Sequence, residues 1–183
     1  KILWENSEFA PAVVAPTPVI LDDGRILLTA GYGAGTAMLQ VDRTGNGWKA
    51  SMVRQYRPQE AIASEQQTPV YSQGLIFAIL PKDAGGARNQ FVAARPGDIG
   101  NFVVTSGKAE RYGLGPYLFA DGKFFILNDD GEMTIAKTSG SRFSVLNKQK
   151  ILQGQDAWGP LAISEGYLLA RDSKTMICID IRK

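Results

Sequence analysis

Ala157-Trp158-Gly159-Pro160-Leu161-Ala162-Ile163-Ser164-Glu165-Gly166-Tyr167-Leu168-Leu169-Ala170-Arg171-Asp172 is the stretch on which the fold turns. A Gly-Pro pair leads into a short apolar run, Glu-Gly reverses the chain, and a second apolar run ends at a polar corner. Two such runs around a two-residue turn signal spell a β-hairpin. The same phrase occurs three times upstream. Pro18, Pro69, Pro116 and Pro160 stand 51, 47 and 44 residues apart, and Gly24, Gly74, Gly122 and Gly166 follow them at offsets of 6, 5, 6 and 6. Self-similarity at a period of 40 to 50 residues marks a repeat architecture.

Each repeat resolves into strands. The first runs are Val19-Ile20-Leu21, Val70-Tyr71, Tyr117-Leu118-Phe119 and Leu161-Ala162-Ile163. The second runs, such as Leu75 to Ile79 and Phe124 to Leu127, are apolar throughout, as expected of strands covered on both faces. Third strands alternate (Met133-Thr134-Ile135-Ala136, Met176-Ile177-Cys178-Ile179), and fourth strands, Trp48 to Tyr56 and Phe143 to Leu152 among them, are more polar. Polarity that rises from first to fourth strand fits a blade whose first strand lines an axis and whose fourth forms the outer edge. The reading is all-β, with four repeats of antiparallel four-stranded sheets as β-propeller blades, in a partial propeller or a small closed ring. The blades fall at about residues 11–58, 59–108, 109–152 and 153–183. The last lacks a fourth strand, which residues 1–6 are placed to supply as an extra outer strand; equally, that piece is the last strand of a further upstream blade.

Composition narrows the chemistry. With 44% hydrophobic and 21% charged residues among 183, the chain has ordinary globular usage, and its 20 glycines suit a turn-rich fold. A net charge of +2 from 20 basic and 18 acidic residues, with no block of either sign, gives no electrostatic case for nucleic acid. There is no histidine, which removes Ser-His and Cys-His nucleophile pairs and the commonest metal ligand. The single cysteine, Cys178, forms no intrachain disulfide and sits in a strand pattern that predicts a buried, inert thiol. No apolar run reaches the roughly 18 residues of a transmembrane segment.

The Gly-Pro, Asp-Gly and strand-final Asp of the repeat, clearest from Gly115-Pro116 to Ala136 and from Gly159-Pro160 to Asp180, resemble the pyrroloquinoline-quinone-like (PQQ-like) propeller repeat of quinoproteins and of BamB-like outer-membrane assembly propellers. Lys1-Ile2-Leu3-Trp4-Glu5 looks like that family's outer strand. The resemblance implies a propeller of seven or eight blades, of which four repeats form the C-terminal half, and a periplasmic or secreted location. It implies no quinone site: a vicinal cysteine pair is impossible with one cysteine, and no acidic and amide calcium cluster is present. No cofactor is therefore predicted; PQQ and calcium stay open as cofactors of the resembled family, without support from the residues present.

In an up-and-down blade, loops leading into first strands share one face with those joining second to third strands. That face would gather Tyr32, Glu65, Gln66, Gln67, Arg111, Tyr112, Asp129, Asp130, Asp156, Trp158 and Asp172 as a candidate ligand face for a protein or a small carbohydrate-like ligand. Against this, turn carboxylates and a tryptophan packed between blades are ordinary loop chemistry. Gly31-Tyr32-Gly33-Ala34-Gly35 precedes a strand rather than a helix, so it reads as a hairpin and not a phosphate loop. Asn128-Asp129-Asp130-Gly131-Glu132 offers clustered oxygens but lacks the spacing of a calcium loop. Glu65 and Asp156 are a possible carboxylate pair for glycoside cleavage, and Arg111 and Arg171 are expected in ion pairs with Glu110 or Asp172. Two functions stay open, a non-catalytic binding or assembly scaffold outside the cytoplasm and an enzyme, either quinoprotein-like or carbohydrate-active. A homodimer and missing N-terminal blades are alternative ways of covering the end blades.

Overall fold

The computed structural model describes residues 1–154 and 156–182, in four antiparallel sheets. The first blade holds β1 (Val19–Ile20), β2 (Ile26–Ala30), β3 (Gly35–Thr44) and β4 (Gly47–Tyr56). The second holds β5 (Val70–Ser72), β6 (Leu75–Ile79), β7 (Phe91–Arg95) and β8 (Asp98–Thr105). The third holds β9 (Tyr117–Ala120), β10 (Lys123–Leu127), β11 (Glu132–Ser139) and β12 (Arg142–Lys150). The fourth has three strands, β13 (Ala162–Ser164), β14 (Tyr167–Arg171) and β15 (Met176–Asp180). Strand order follows chain order in every sheet, the up-and-down pattern the repeat predicts. A short 3₁₀ turn, Gly85–Ala87, occupies the long loop of the second blade.

Turn chemistry explains the hairpins. Gln73-Gly74, Asp121-Gly122 and Glu165-Gly166 each place two successive residues at positive φ, between 49° and 79°. Both central residues of a type I′ turn need this, and its twist matches the flanking strands.

The blades share one pairing plan. Opposite partners across each sheet form the rows Val19-Leu27-Met38-Arg54, Val70-Phe77-Ala93-Val104, Leu118-Phe125-Ile135-Asn147 and Ala162-Leu169-Cys178. In all three complete blades the register shifts just after this row, between Met38/Leu39, Ala93/Ala94 and Ile135/Ala136. A bulge at a fixed place is a built feature that sets local twist.

Three apolar clusters join successive blades. Leu27 and Met38 meet Ile76, Ala78 and Val92 between the first and second. Phe77 and Phe91 meet Phe124 and Tyr117 between the second and third, with the Phe77 and Phe124 ring centres 4.6 Å apart. Phe125, Leu127 and Met133 meet Leu168 and Ala170 between the third and fourth. Each large side chain so buried contributes roughly 1.5–3 kcal/mol. Among the described residues no such cluster joins the fourth blade to the first, so the sheets form an open arc.

The open ends alter two expectations. Cys178 is exposed rather than buried, because its face of β15 looks away from the third blade and nothing packs on it. Residues 1–6 take no strand conformation, and residues 6–8 are tied to the first blade rather than the fourth: Asn6 donates to the carbonyl of Ala50 at 3.4 Å and Glu8 accepts from the amide of Met52 at 3.3 Å.

Candidate functional site

Loops of three blades bring several of the candidate residues together, and their contacts can be traced residue by residue. Asp129, in the β10–β11 loop, accepts from the amide of Leu114 at 2.8 Å and from the indole Nε1 of Trp158 at 2.9 Å. The carbonyl of Trp158 accepts from Gln67 Nε2 at 3.1 Å. Gln67, Asp129 and Trp158, drawn from the loops of the second, third and fourth blades, are thus tied into one network. Beside it, Glu65, Gln66 and Gln67 face Gly113, Leu114 and Gly115 across a cleft of about 10 Å³, room for about one water.

Asp129, Asp172 and Asp83 are engaged in holding loops. Asp172 accepts from the amides of Gly154 (2.8 Å), Lys174 (2.8 Å) and Thr175 (2.6 Å). Those amides hold its carboxyl below the ordinary aspartate range against the opposing effect of burial, with Lys174 and Thr175 contributing most. Asp83 accepts from Gly33 at 2.8 Å in the same fashion. The Asp129 and Asp172 contacts need bare backbone beside them. A Cβ on Gly113 would lie 1.8 Å from Asp129 Oδ2, and one on Gly154 would lie 1.9 Å from Asp172 Oδ2.

Tyr32 stands exposed at φ 55°, with the ammonium of Lys82 5.4 Å from its ring centre. Glu65 is buried behind this loop, its stem against Gly31. Burial raises its carboxyl above the ordinary glutamate value; Lys82 opposes the rise and Asp83 adds to it. Strand direction alone assigns both Glu65 and Asp83 to the loop face, and Glu65 is also one of the two carboxylates considered for glycoside cleavage.

Other members sit elsewhere. Tyr112 turns inward and is buried in the cluster between the second and third blades, where burial, then Glu110, pushes its phenol well above the ordinary range. Arg111 donates to the carbonyls of Arg88, Lys108 and Gly86, so it clasps the 3₁₀ turn rather than forming the expected ion pair. Arg171 donates to the carbonyl of Asp172 at 3.2 Å. The acid Glu110 pairs instead with Lys148, at 2.8 Å. Asp130 and Asp156 are exposed, Asp156 at φ 59°. Among the described residues no group of three or more Cys, Asp or Glu is arranged to hold a metal ion. No described helix is long and apolar enough to cross a membrane.

Fold and loop placement together define a β-propeller-like arc with its loop face at one end. No family model matches the chain, and no curated protein matches it. Solved structures do resemble it. BamB from Moraxella catarrhalis matches with a TM-score of 0.63 at 14% identity, over 98% of this chain and 49% of BamB, so the chain spans about half of that protein. The computationally designed Ika4 protein matches with a TM-score of 0.64 at 13% identity, over 99% of this chain and 98% of Ika4. At such identities the likeness is one of fold.

Proposed function

We propose that the chain is a non-catalytic propeller module, a binding or assembly scaffold that works outside the cytoplasm through its loop face. The observation that carries this reading is the Gln67–Trp158–Asp129 network, which locks loops of three blades into one platform. A rigid platform with polar, exposed residues on its rim suits a protein surface better than it suits a buried substrate. The adjoining cleft of about 10 Å³ is far smaller than the few hundred Å³ of an ordinary small-molecule pocket. BamB, with the same kind of fold, is consistent with a scaffold role, and the extracytoplasmic placement follows that analogy.

A photo-crosslinking residue at Gln66 or Tyr32, compared with one at Gln73 or Asp121 at the other end of the blades, tests the face. Protein adducts from the first pair alone are expected; equal adducts from both ends overturn the assignment. Recovery of the native protein solely from the cytoplasmic fraction would overturn its placement outside.

An enzymatic reading has one observation in its favour. Glu65 is a desolvated carboxyl with a raised pKa beside a cleft, the environment of a general acid. Turnover of a glycoside that disappears in Glu65→Gln, with the fold intact, would establish it in place of the scaffold.

A further inference from the structure

Between the second and third blades lies an open groove of about 660 Å³, lined by Gln73, Leu75, Arg95, Val103, Thr138 and Ser141. These residues come from the β5–β6 turn, the end of β7, β8 and the β11–β12 hairpin. By strand direction the groove lies at the opposite end of the blades from the Gln67–Trp158–Asp129 network, so it is a second site. Unlike the cleft beside Glu65, it has the volume of an ordinary small-molecule pocket. We propose that this groove binds an acidic sugar, whose carboxylate sits on the guanidinium of Arg95.

Strand pairing builds the groove. Past the shared bulge, β3 and β4 pair from Leu39 to Thr44 and β11 and β12 from Ala136 to Ser139, whereas β7 and β8 pair only at Ala94 and Arg95. The third blade's hairpin therefore runs two residues, about 7 Å of strand, past the end of its neighbour's ladder. The short end of the second blade is also drawn the other way. Arg25 of the first blade donates to the carbonyl of Pro96 at 3.1 Å, and the amide of Ile62 donates to the carbonyl of Ile99 at 2.8 Å. Ile99 itself is buried in the cluster between the first and second blades. A Cβ on Gly100 would lie 2.7 Å from the carbonyl oxygen of Glu60, so this approach requires the glycine. With β8 held toward the first blade, the space beside the β11–β12 hairpin stays open.

The lining fits this class of ligand. Leu75 and Val103 are half-buried at the edge of the apolar cluster between the second and third blades, and they offer a floor to the C–H face of a sugar ring. Gln73, Thr138 and Ser141 bring a carboxamide and two hydroxyls, which both donate to and accept from sugar hydroxyls. Arg95 supplies the charge. It is exposed and, among the described residues, has no ion pair, although Asp98 stands opposite it across the hairpin. The turn cations of the flanking blades, Arg25 and Lys123, are by contrast each paired with the aspartate of their own turn, Asp23 and Asp121. An unpaired guanidinium matches a carboxylate best, gripping it through two parallel N–H bonds.

Titration of the 183-residue chain with digalacturonate, followed by its backbone amide NMR signals, tests the site. Saturable shifts are expected at the lining residues. The uncharged dimethyl ester of the probe, and separately the Arg95→Gln variant, should bind about tenfold or more weakly, the size of a charge-assisted hydrogen bond. Thr138→Ala and Ser141→Ala should each cost about two- to tenfold, as for a neutral hydrogen bond. The ester leaves the protein untouched, so that arm decides the matter whatever a substitution does to folding. Equal binding of acid and ester, shifts centred elsewhere, or no saturation at millimolar probe would overturn the proposal. Acetate binding as tightly as the disaccharide would reduce the site to a bare carboxylate contact and overturn the sugar.

Discussion

The third and fourth blades are built on one plan and end differently. In the third, β10 is covered on both faces, by Phe77 and Phe91 from one side and Leu168 from the other, and β12 closes the edge. In the fourth, β14 alternates between buried and exposed residues along its length because only the third blade covers it. Equivalent apolar positions thus differ in cost and consequence according to whether a neighbour is present. A repeat of this kind carries much of its stability in its interfaces rather than within its own sheet.

The largest test of that contrast is Phe125→Ala, which empties the core between the two blades and should cost about 3–5 kcal/mol, read as a fall in the urea midpoint. Should the loss be under about 1 kcal/mol, that interface is not what holds the fourth blade. Next come the loop glycines. Gly113→Ala and Gly154→Ala both drive a Cβ into a carboxylate, but Gly113 also sits at φ 64°. Gly113→Ala should therefore be the more damaging by about 1–2 kcal/mol, the left-handed penalty of a side chain. Equal losses would mean that the carboxylate contacts alone matter.

Titration separates two acids of the loop face. The folded-state pKa of Asp172 is depressed, so its contribution is present above its unfolded value of about 3.9 and is lost as pH falls through the folded pKa. Asp172→Asn should lower stability at neutral pH and differ progressively less from the parent below about pH 4. Glu65 has the opposite sign. Its raised folded pKa means that stability falls as pH climbs above its unfolded value of about 4.3. Glu65→Gln should stabilise the chain at neutral pH and lose that advantage near pH 4. Thermal melts across pH 3–8 distinguish these outcomes; parallel curves for parent and variant would dismiss either shift. The smallest effect is expected of Leu169→Ala, below about 1 kcal/mol for the isolated arc.

The blade plan was legible because its signals are local: Asp121-Gly122 and Glu165-Gly166 carry their own turn geometry, and the apolar second strands follow at fixed distance. The loop face was legible in outline from strand direction alone, which placed Gln67, Asp129 and Trp158 at the same end. Their mutual hydrogen bonds were not, since partners 29 and 91 residues apart leave no local trace. Tyr112 shows the same limit from the other side. Its neighbours Glu110 and Arg111 read as a polar loop, and only tertiary packing turns its ring into the core. Cys178 was misplaced because an alternating strand announces two faces without saying whether both are covered.

The bond from Gln67 to the carbonyl of Trp158 passes over the third blade altogether. Geometrically it is a chord, and a chord of fixed length across three members of a circle determines the circle's radius. One such bond is worth about 0.5–1.5 kcal/mol, so it trims the wedge between the second and fourth blades while the apolar packing on either side of the third sets it. Gln67→Ala would leave that wedge to the packing alone.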